Sequence, residues 1–228
     1  MIHKHTRRII ISAVPLTFDW STSINQDRVF LMMNFLAHAY LSFGNKEVLV
    51  GNMISDFVKG KAQYDFIENI RKGIVLHRLI DDYTDTHQVI KKAKEYFRPS
   101  YRLYSGPIID ILMDHFLASD PVQFKAGELK TFTQSVYQTL NQYSSHLPLR
   151  FVPAFTYMQS EDWLFNYQYK EGIAKSIRGL VRRSSFLEDS ATAIKIFHEH
   201  YVALTDCYNQ FFKDVKIYAK EQLLLLND

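Results

Sequence analysis

The chain is short of the residues that make tight turns. It has eight glycines and six prolines in 228 residues, roughly half of average usage. β-Sandwiches and barrels change direction about every 8–12 residues and depend on such turn formers. The shortage argues against an all-β architecture. We therefore predict an all-α fold, a compact bundle of several helices.

Cysteine is almost absent, since Cys207 is the one cysteine of the sequence. A single thiol excludes a disulfide framework within the chain, and it excludes zinc and iron–sulfur sites built from several cysteines. Such sparing use of cysteine is typical of proteins in a reducing compartment. We therefore expect a cytoplasmic location.

Long apolar runs and a strong charge of one sign are also missing. No stretch of about 18 apolar residues occurs, so no transmembrane helix is predicted. The net charge is +3 at pH 7, well short of a nucleic-acid-binding balance, and we expect no nucleic-acid partner. Hydrophobic residues make up 47% and charged residues 22% of the chain, as in globular proteins.

The beginning of the chain differs from the rest. It contains a proline, a Ser/Thr cluster and no helical periodicity longer than one turn. We predict that residues 1–32 are a poorly ordered N-terminal extension, with Met32 or Met33 as an alternative start. No linker or repeat divides the remainder of the chain, so residues 33–228 are predicted to form a single helical domain.

Helix boundaries are predicted from capping residues and apolar spacing. Asn45 is expected to cap a second helix and Asp65 a third. Apolar residues alternately three and four apart predict one long C-terminal helix, packed within the chain or, alternatively, in a dimeric coiled coil. They are Ile194, Phe197, Tyr201, Leu204, Tyr208, Phe211, Val215 and Tyr218.

Ionisable residues lie on the apolar stripes of two predicted helices. In the third helix, His77 and Asp81 are one turn apart on an apolar face. The helix after Pro107 carries Asp110 and Asp114 at i, i+4, followed by His115. Two carboxylates at this spacing repel unless a cation lies near them, and a buried carboxylate needs a partner or a metal.

Each candidate has an ordinary structural explanation when it is considered alone. His38 resembles a hydrogen-bonded core histidine, Asp56 can pair with Lys59, and Arg78 can form a buried salt bridge. Six or seven such residues on four short helices are better explained by a metal site. Histidines and carboxylates without thiolates suit Mn, Fe, Zn or Mg at a hydrolytic centre.

Motifs of several familiar sites are absent from the sequence. No glutamate has a histidine three residues later, which argues against a ferritin-like di-iron bundle. His-Glu-x-x-His is missing, as are the Walker A loop and Gly-x-Gly-x-x-Gly. A zinc peptidase and a glycine-rich phosphate loop are therefore not predicted.

Four segments of the chain stand out in order. They are Asn34-Phe-Leu-Ala-His-Ala-Tyr-Leu, Gly51-Asn-Met-Ile-Ser-Asp-Phe-Val-Lys-Gly, Gly73-Ile-Val-Leu-His-Arg-Leu-Ile-Asp-Asp-Tyr-Thr-Asp and Asp110-Ile-Leu-Met-Asp-His-Phe-Leu. They resemble the signature segments of the acyl carrier protein phosphodiesterase family, a noncanonical, all-helical relative of the HD metal-dependent phosphohydrolases. The resemblance starts at Met33 and implies an HD-domain-like bundle.

The resemblance also implies an activity and a metal. The expected reaction is hydrolysis of the phosphodiester that joins 4′-phosphopantetheine to a serine of holo-acyl carrier protein, giving apo-acyl carrier protein and 4′-phosphopantetheine. Mn²⁺ is the expected ion, with Mg²⁺, Fe²⁺ or another divalent metal as alternatives. The implied metal ligands are His38, Asp56, His77, Asp81, Asp114 and His115. The adjacent pair, Asp114-His115, reads in reverse of the usual HD order.

Catalytic roles are expected for three residues of the same segments. Asp56 and Asp110 would act at the metal site, with Asp110 orienting a histidine or the attacking water. Arg78 would contact the phosphate, a role that Lys59 could share. A serine leaving group needs a proton donor, and His115 or His38 could supply the proton if it is not a ligand.

Basic residues form two groups that could receive an acidic protein. Acyl carrier proteins are strongly acidic, so the family resemblance makes a basic docking surface relevant. The first group is Lys91, Lys92, Lys94, Arg98 and Arg102; the second is Arg178, Arg182 and Arg183. We expect Lys91, Lys92, Arg98 and Arg102, together with Lys59, to bind the substrate. A solvated basic face is the simpler explanation.

Two alternative functions remain open from the sequence. One keeps the metal-dependent hydrolase but gives it a small phosphodiester or a nucleotide as substrate. The other is a noncatalytic helical protein that binds acyl carrier protein.

Overall fold

The computed structural model describes residues 34–184, 186–187 and 189–227. The extension predicted for residues 1–32 lies outside this part of the chain. Within the described part the chain forms twelve α-helices and no strand, which confirms the all-α prediction. The helices are α1 Phe35–Tyr40, α2 Lys46–Ile54, α3 Glu68–Thr86, α4 Gln88–Glu95, α5 Arg98–Tyr101, α6 Ser105–Ala118, α7 Glu128–Gln142, α8 Val152–Ser160, α9 Trp163–Asn166, α10 Lys170–Arg183, α11 Ala191–Glu199 and α12 Tyr201–Leu225.

Helices α2 and α3 cross with their backbones in contact. Gly51 of α2 and Gly73 of α3 face each other at the crossing. A side chain at either position would keep the two helices apart. A Cβ added at Gly73 would overlap the carbonyl oxygen of Val48, and one added at Gly51 would overlap that of Ile70. The absence of two side chains therefore fixes how closely the two helices approach.

Helix α6 runs through the interior. From Ile108 to Ala118 every residue is buried, as expected of a helix that is apolar on all sides. It contacts α1, α4, α10 and α12. Any polar group on this helix is therefore withdrawn from water.

The apolar C-terminal spacing gives two helices rather than one. α11 ends at Glu199 and α12 begins at Tyr201, because His200 leaves the helical conformation, with φ −109° and ψ 18°. The His200 ring lies 4.5 Å from that of Tyr96. The continuous helix predicted through residues 194–218 is thus wrong at this point. Its packing within the chain is as expected, since α12 lies against α3, α4 and α6.

Capping was predicted correctly for α2 and wrongly for α3. Oδ1 of Asn45 accepts the backbone N–H groups of Glu47 and Val48, both at 3.1 Å. Asp65 instead ends a 3₁₀ turn that begins at Gly60, and α3 starts only at Glu68. None of the helices in the described part of the chain is long and apolar enough to cross a membrane.

Candidate metal centre

Helices α1 and α3 bring two histidines and an aspartate together. Nε2 of His38, on α1, lies 3.1 Å from Oδ1 of Asp81 on α3. Nε2 of His77, one turn before Asp81, lies 3.1 Å from Oδ2 of the same carboxylate. One donor atom of each residue lies within 4.8 Å of those of the other two. The i, i+4 spacing on α3 thus forms one cluster with the histidine of α1.

Asp56 completes this group, which we call the histidine–aspartate cluster: His38, Asp56, His77 and Asp81. Asp56 lies in the 3₁₀ turn Ser55–Phe57 that directly follows α2. Its Oδ1 is 3.2 Å from Nε2 of His77. Four of the six predicted metal ligands are therefore brought together.

Asn52 holds the opposite side of both imidazole rings. Nδ1 of His38 donates to Oδ1 of Asn52 at 2.8 Å, and Nδ1 of His77 donates to the Asn52 carbonyl at 2.7 Å. The Asn52 amide nitrogen donates to the His38 carbonyl and to Oγ of Ser42, so its Oδ1 faces the ring. With both Nδ1 atoms used as donors, each neutral ring presents the Nε2 lone pair to the carboxylates.

The cluster opens to solvent on its carboxylate side. The side chains of His38 and His77 are 1% and 6% exposed, whereas those of Asp81 and Asp56 are 18% and 24% exposed. The imidazoles therefore form the floor and the carboxylates the rim. The two carboxylates are therefore the more accessible members of the cluster.

The charges of the cluster are strongly coupled. The two rings stack with centroids 3.8 Å apart and an angle of 18° between their planes. Burial and the His77 charge lower the pKa of His38. Burial also lowers the pKa of His77, but Asp81 and Asp56 outweigh it and raise that pKa to about 10. Burial raises the pKa of Asp81, but the two histidines outweigh it and hold that pKa below its ordinary value.

The donor set of the cluster fits a divalent metal. Two imidazole nitrogens and two carboxylates without a thiolate suit first-row divalent ions and Mg²⁺. The Asn52 contacts are of the kind that orient histidine ligands from behind. The carboxylates favour a positive charge next to the two Nε2 atoms. A proton on His77 supplies this charge, and a bound cation could supply it instead. Within the described part of the chain, His38, His77 and Asp81 form the one group found with metal-binding spacing.

Asp114 and His115 are not part of this cluster. The Asp114 carboxylate accepts the backbone N–H groups of Leu36 and Ala37 at 3.0 and 2.8 Å, so it caps the first turn of α1 from another helix. Nδ1 of His115 donates to the Tyr167 carbonyl at 2.7 Å. Its Nε2 lies 3.0 Å from the Tyr201 hydroxyl. The metal roles predicted for Asp114 and His115 therefore find no support in their surroundings.

Asp110 is buried on α6 and makes no hydrogen bond or ion pair with another described residue. It is 5% exposed. Burial and the nearby Asp81 charge raise the pKa of Asp110 to about 8. The carboxyl is therefore largely protonated at neutral pH. No described hydrogen bond joins Asp110 to a histidine, so its orienting role stays a prediction.

We expect Asp110→Asn to stabilise the protein increasingly as the pH rises. The pKa of Asp110 is higher in the folded state than in the unfolded state. The free energy of unfolding is therefore unaffected by this carboxyl below about pH 4 and falls as the pH rises from there towards 8. Asparagine does not titrate, so the variant avoids this loss. At pH 8 its free energy of unfolding should exceed that of the wild type by about 2–4 kcal/mol. Urea unfolding with chelator at pH 5 and pH 8 measures it. An equal effect at both pH values would contradict the assignment.

Arg78 is tied to the loop that follows Asp56. Its guanidinium donates to Oε1 of Gln63 at 3.0 Å and to the Val58 carbonyl at 2.9 Å. Both contacts fix the turn that carries the exposed Lys59. Arg78 therefore shapes the rim of the cluster, and its contact with the phosphate stays a prediction.

Known proteins match the part of the chain that builds this geometry. A family model described as acyl carrier protein phosphodiesterase matches residues 33–215. The chain belongs to the acyl carrier protein phosphodiesterase family. An acyl carrier protein phosphodiesterase of Yersinia pestis is 35% identical over 181 residues, which cover 79% of this chain and 94% of that protein. One of Enterobacter sp. (strain 638) is 32% identical over 193 residues, covering 84% of this chain and all of the relative. No solved structure matches the chain.

The acyl carrier protein phosphodiesterase match includes the whole histidine–aspartate cluster. It also includes Asn52, which sequence reasoning did not select. The feature of the sequence that could have indicated Asn52 is its position next to Gly51 in the second of the four segments. Periodicity could not reveal its role, because the contacts depend on the close crossing of α2 and α3.

Proposed function

We propose that this protein hydrolyses the phosphodiester between 4′-phosphopantetheine and the serine of holo-acyl carrier protein. Membership of the acyl carrier protein phosphodiesterase family supports the reaction and the substrate. The observation that carries the proposal is the solvent-facing cluster, in which both Nε2 atoms meet the Asp81 carboxylate. This arrangement suits a hydrolytic metal site, and we propose Mn²⁺ as its ion.

Each residue of the cluster would have its own role in this reaction. His38, His77 and Asp81 would hold the ion, with Asn52 keeping both rings in place. When bound, a divalent ion makes water easier to deprotonate and offsets the negative charge of the phosphodiester. Asp56, at the rim, would accept a proton from the water that attacks phosphorus. Lys59, exposed on the neighbouring loop, would contact the phosphate.

We expect Asn52→Leu to weaken Mn²⁺ binding by about 10- to 100-fold, the usual effect of removing a partner of a metal-bound histidine. The reason is that His38 loses its acceptor at Nδ1 while the backbone carbonyl contact to His77 remains. Equilibrium dialysis with Mn²⁺ measures the affinity. Ser42→Ala, which removes only an outer contact of the same amide, is the control. Unchanged affinity in Asn52→Leu would contradict the role.

The exposed basic residues of α4 would receive the acidic carrier protein. Lys91 and Lys92 are exposed on α4, which directly follows the cluster-bearing α3, and neither forms an ion pair with a described residue. Arg98 and Arg102 are also exposed, although Arg98 pairs with Glu95 on the surface. Lys91 and Lys92 are therefore the better available cations, and we propose them as its main contacts.

Charge reversal of Lys91 and Lys92 to glutamate should raise KM for holo-acyl carrier protein about tenfold or more and leave kcat nearly unchanged. Rim charges act on encounter and on its salt dependence rather than on chemistry. Mass-spectrometric kinetics at low and high salt measure both. Lys125→Glu with Arg150→Glu gives the same change of charge on exposed residues outside α3 to α5 and outside both basic groups. Equal KM values for the two double variants would contradict the docking assignment.

Intact mass spectrometry tests the proposed function. Purified protein with Mn²⁺ is incubated with holo-acyl carrier protein, and the expected result is loss of the phosphopantetheine mass. Chelator and Asp56→Ala should each abolish it. An unchanged mass together with hydrolysis of bis(p-nitrophenyl) phosphate would favour a small phosphodiester substrate. Binding of the carrier protein without any hydrolysis would favour the noncatalytic alternative.

A further inference from the structure

A cavity lies between α10 and the α8–α9 region. Its volume is about 340 Å³, within the size range of small-molecule sites. It is lined by Tyr157, Glu161, Trp163, Asn166, Tyr169, Glu171, Gly172, Lys175, Ser176, Gly179, Arg182 and Arg183. None of these residues belongs to α1, α2 or α3, so the cavity is separate from the histidine–aspartate cluster.

Arg183 places an unpaired cation in the wall of this cavity. Its Nε and Nη2 atoms are buried and have no hydrogen-bond partner among the described residues. Burial and the adjacent Arg182 lower the pKa of Arg183 to about 10, which leaves it charged at neutral pH. Nε and Nη2 have almost no accessible surface, so an anion in the cavity would meet the guanidinium at Nη1, which lies beside Gly179. A carboxylate or phosphate at this position would partner the charge.

The backbone of α10 makes room for this guanidinium. Gly179, one turn before Arg183, leaves the space that its guanidinium occupies, since a Cβ there would lie 3.1 Å from Nη1. Gly172, two turns before Gly179, lies instead against the Asn166 carbonyl, which a Cβ there would overlap. Helix α10 therefore packs closely on the end of α9 at Gly172 and holds the arginine beside Gly179.

The cavity is lined by three basic residues, Lys175, Arg182 and Arg183, against two acidic ones. Neither Arg182 nor Lys175 forms an ion pair with a described residue. Glu161 and Glu171 also line the cavity, but no salt bridge joins either of them to Arg183 among the described residues. The cavity therefore retains a site for an anion.

Aromatic rings form the rest of the wall. Trp163 is held in place by its Nε1, which donates to Oγ of Ser176 at 3.2 Å. Tyr169 is half-exposed at the edge. Fixed aromatic faces next to cationic groups favour a ligand that joins a flat or apolar body to an anionic group.

We propose that this cavity binds a small organic anion, with a phosphate or carboxylate group on Arg182 and Arg183 and a flat ring against Trp163 and Tyr169. A nucleoside monophosphate has this chemistry and a suitable size. The site goes beyond the proposed hydrolysis and does not depend on it. Its ligand is bound, with no bond made or broken.

Calorimetric titration with AMP and with inorganic phosphate tests the proposal. The full chain carries Asp81→Asn and is kept in chelator, so that the histidine–aspartate cluster cannot bind the phosphate group through a metal. We expect AMP to bind with a Kd well below 1 mM and inorganic phosphate at least about tenfold more weakly. Arg183→Gln and, separately, Arg182→Gln should each weaken AMP binding about tenfold or more. Arg178→Gln, an exposed change on the same helix outside the cavity, should leave it unchanged.

Several outcomes would overturn the assignment. They are no AMP binding below 1 mM, unchanged binding in both cavity variants, or equal affinity for AMP and phosphate. A thermal melt adds a readout independent of binding. In the absence of ligand, Arg183→Met should raise Tm by about 2–4 °C, because it removes an unpaired buried charge. A lower Tm would show that Arg183 is a structural residue and would contradict the proposal.

Discussion

Asp81→Asn should lower kcat/KM for holo-acyl carrier protein by more than about 100-fold. Loss of a residue that only hydrogen-bonds a metal ligand usually lowers metal affinity or activity 10- to 100-fold. Asp81 should matter more, because it is the proposed ligand whose carboxylate contacts both His38 and His77. The asparagine keeps the size of the side chain but loses the negative charge. The measurement is the initial rate of phosphopantetheine loss by intact mass, with Mn²⁺ in excess.

Asp82→Asn is the matched control for this variant. Asp82 is the next residue of α3 and is exposed, so the same chemical change is made one position from the cluster. It should keep more than about half of the activity, since exposed substitutions away from a site have small effects. Far-ultraviolet circular dichroism should show that both variants keep their helices. If Asp81→Asn retained more than a tenth of the wild-type kcat/KM, the cluster would not be the hydrolytic site.

Gly73→Ala should destabilise the protein by more than about 3 kcal/mol, beyond the usual cost of an added methyl group in a core. The added Cβ would overlap backbone atoms of α2, including the Val48 carbonyl, the Asn52 nitrogen and the Gly51 Cα. Backbone cannot move aside as a flexible side chain can. The two helices would have to separate, and His77 would move away from the Asn52 carbonyl. Urea unfolding gives the loss of stability.

Gly106→Ala provides the comparison for this prediction. A Cβ at Gly106 would meet only the end of the Lys94 side chain, at 3.7 Å. The helix propensity of alanine, better by about 1 kcal/mol, opposes the strain that a Cβ before Pro107 adds. We therefore expect the stability to change by no more than about 1 kcal/mol. If Gly73→Ala cost no more than about 1 kcal/mol, the close crossing of α2 and α3 would not be what positions the two histidines.

Much of the cluster was predictable because helical spacing places side chains on one face. The His77 and Asp81 spacing on an apolar stripe indicated a buried polar pair, and the structure puts both residues in the cluster. Asn45 is another such case, since a capping asparagine acts within one turn of its own helix. Predictions of this kind need only local geometry.

Contacts between helices were beyond the reach of the spacing rules. Successive residues of a helix point about 100° apart, so Asp114 and His115 serve different neighbours although they are adjacent. Asp114 reaches the start of α1, and His115 reaches Tyr167 and Tyr201. Which neighbours they meet depends on how α6 is placed in the core. No pattern within the segment contains that information.

The same limit applies to Asn52 and to the break at His200. Asn52 has an ordinary place in α2, and its two histidine contacts arise from the approach that Gly51 and Gly73 allow. The apolar spacing of α11 and α12 continues unbroken through His200, so nothing in the period marks the end of α11. The HD-like relationship and the helical domain assigned to residues 33–228 remain predictions.

Anomalous X-ray diffraction from crystals grown with Mn²⁺ tests the proposed metal centre most directly. Data collected on both sides of the manganese absorption edge locate the ion without reference to activity. The predicted result is a peak in contact with Nε2 of His38, Nε2 of His77 and a carboxylate oxygen of Asp81, and no such peak in Asp81→Asn crystals. A manganese peak elsewhere, such as beside Asp114 and His115, with none at the histidine–aspartate cluster, would contradict the assignment.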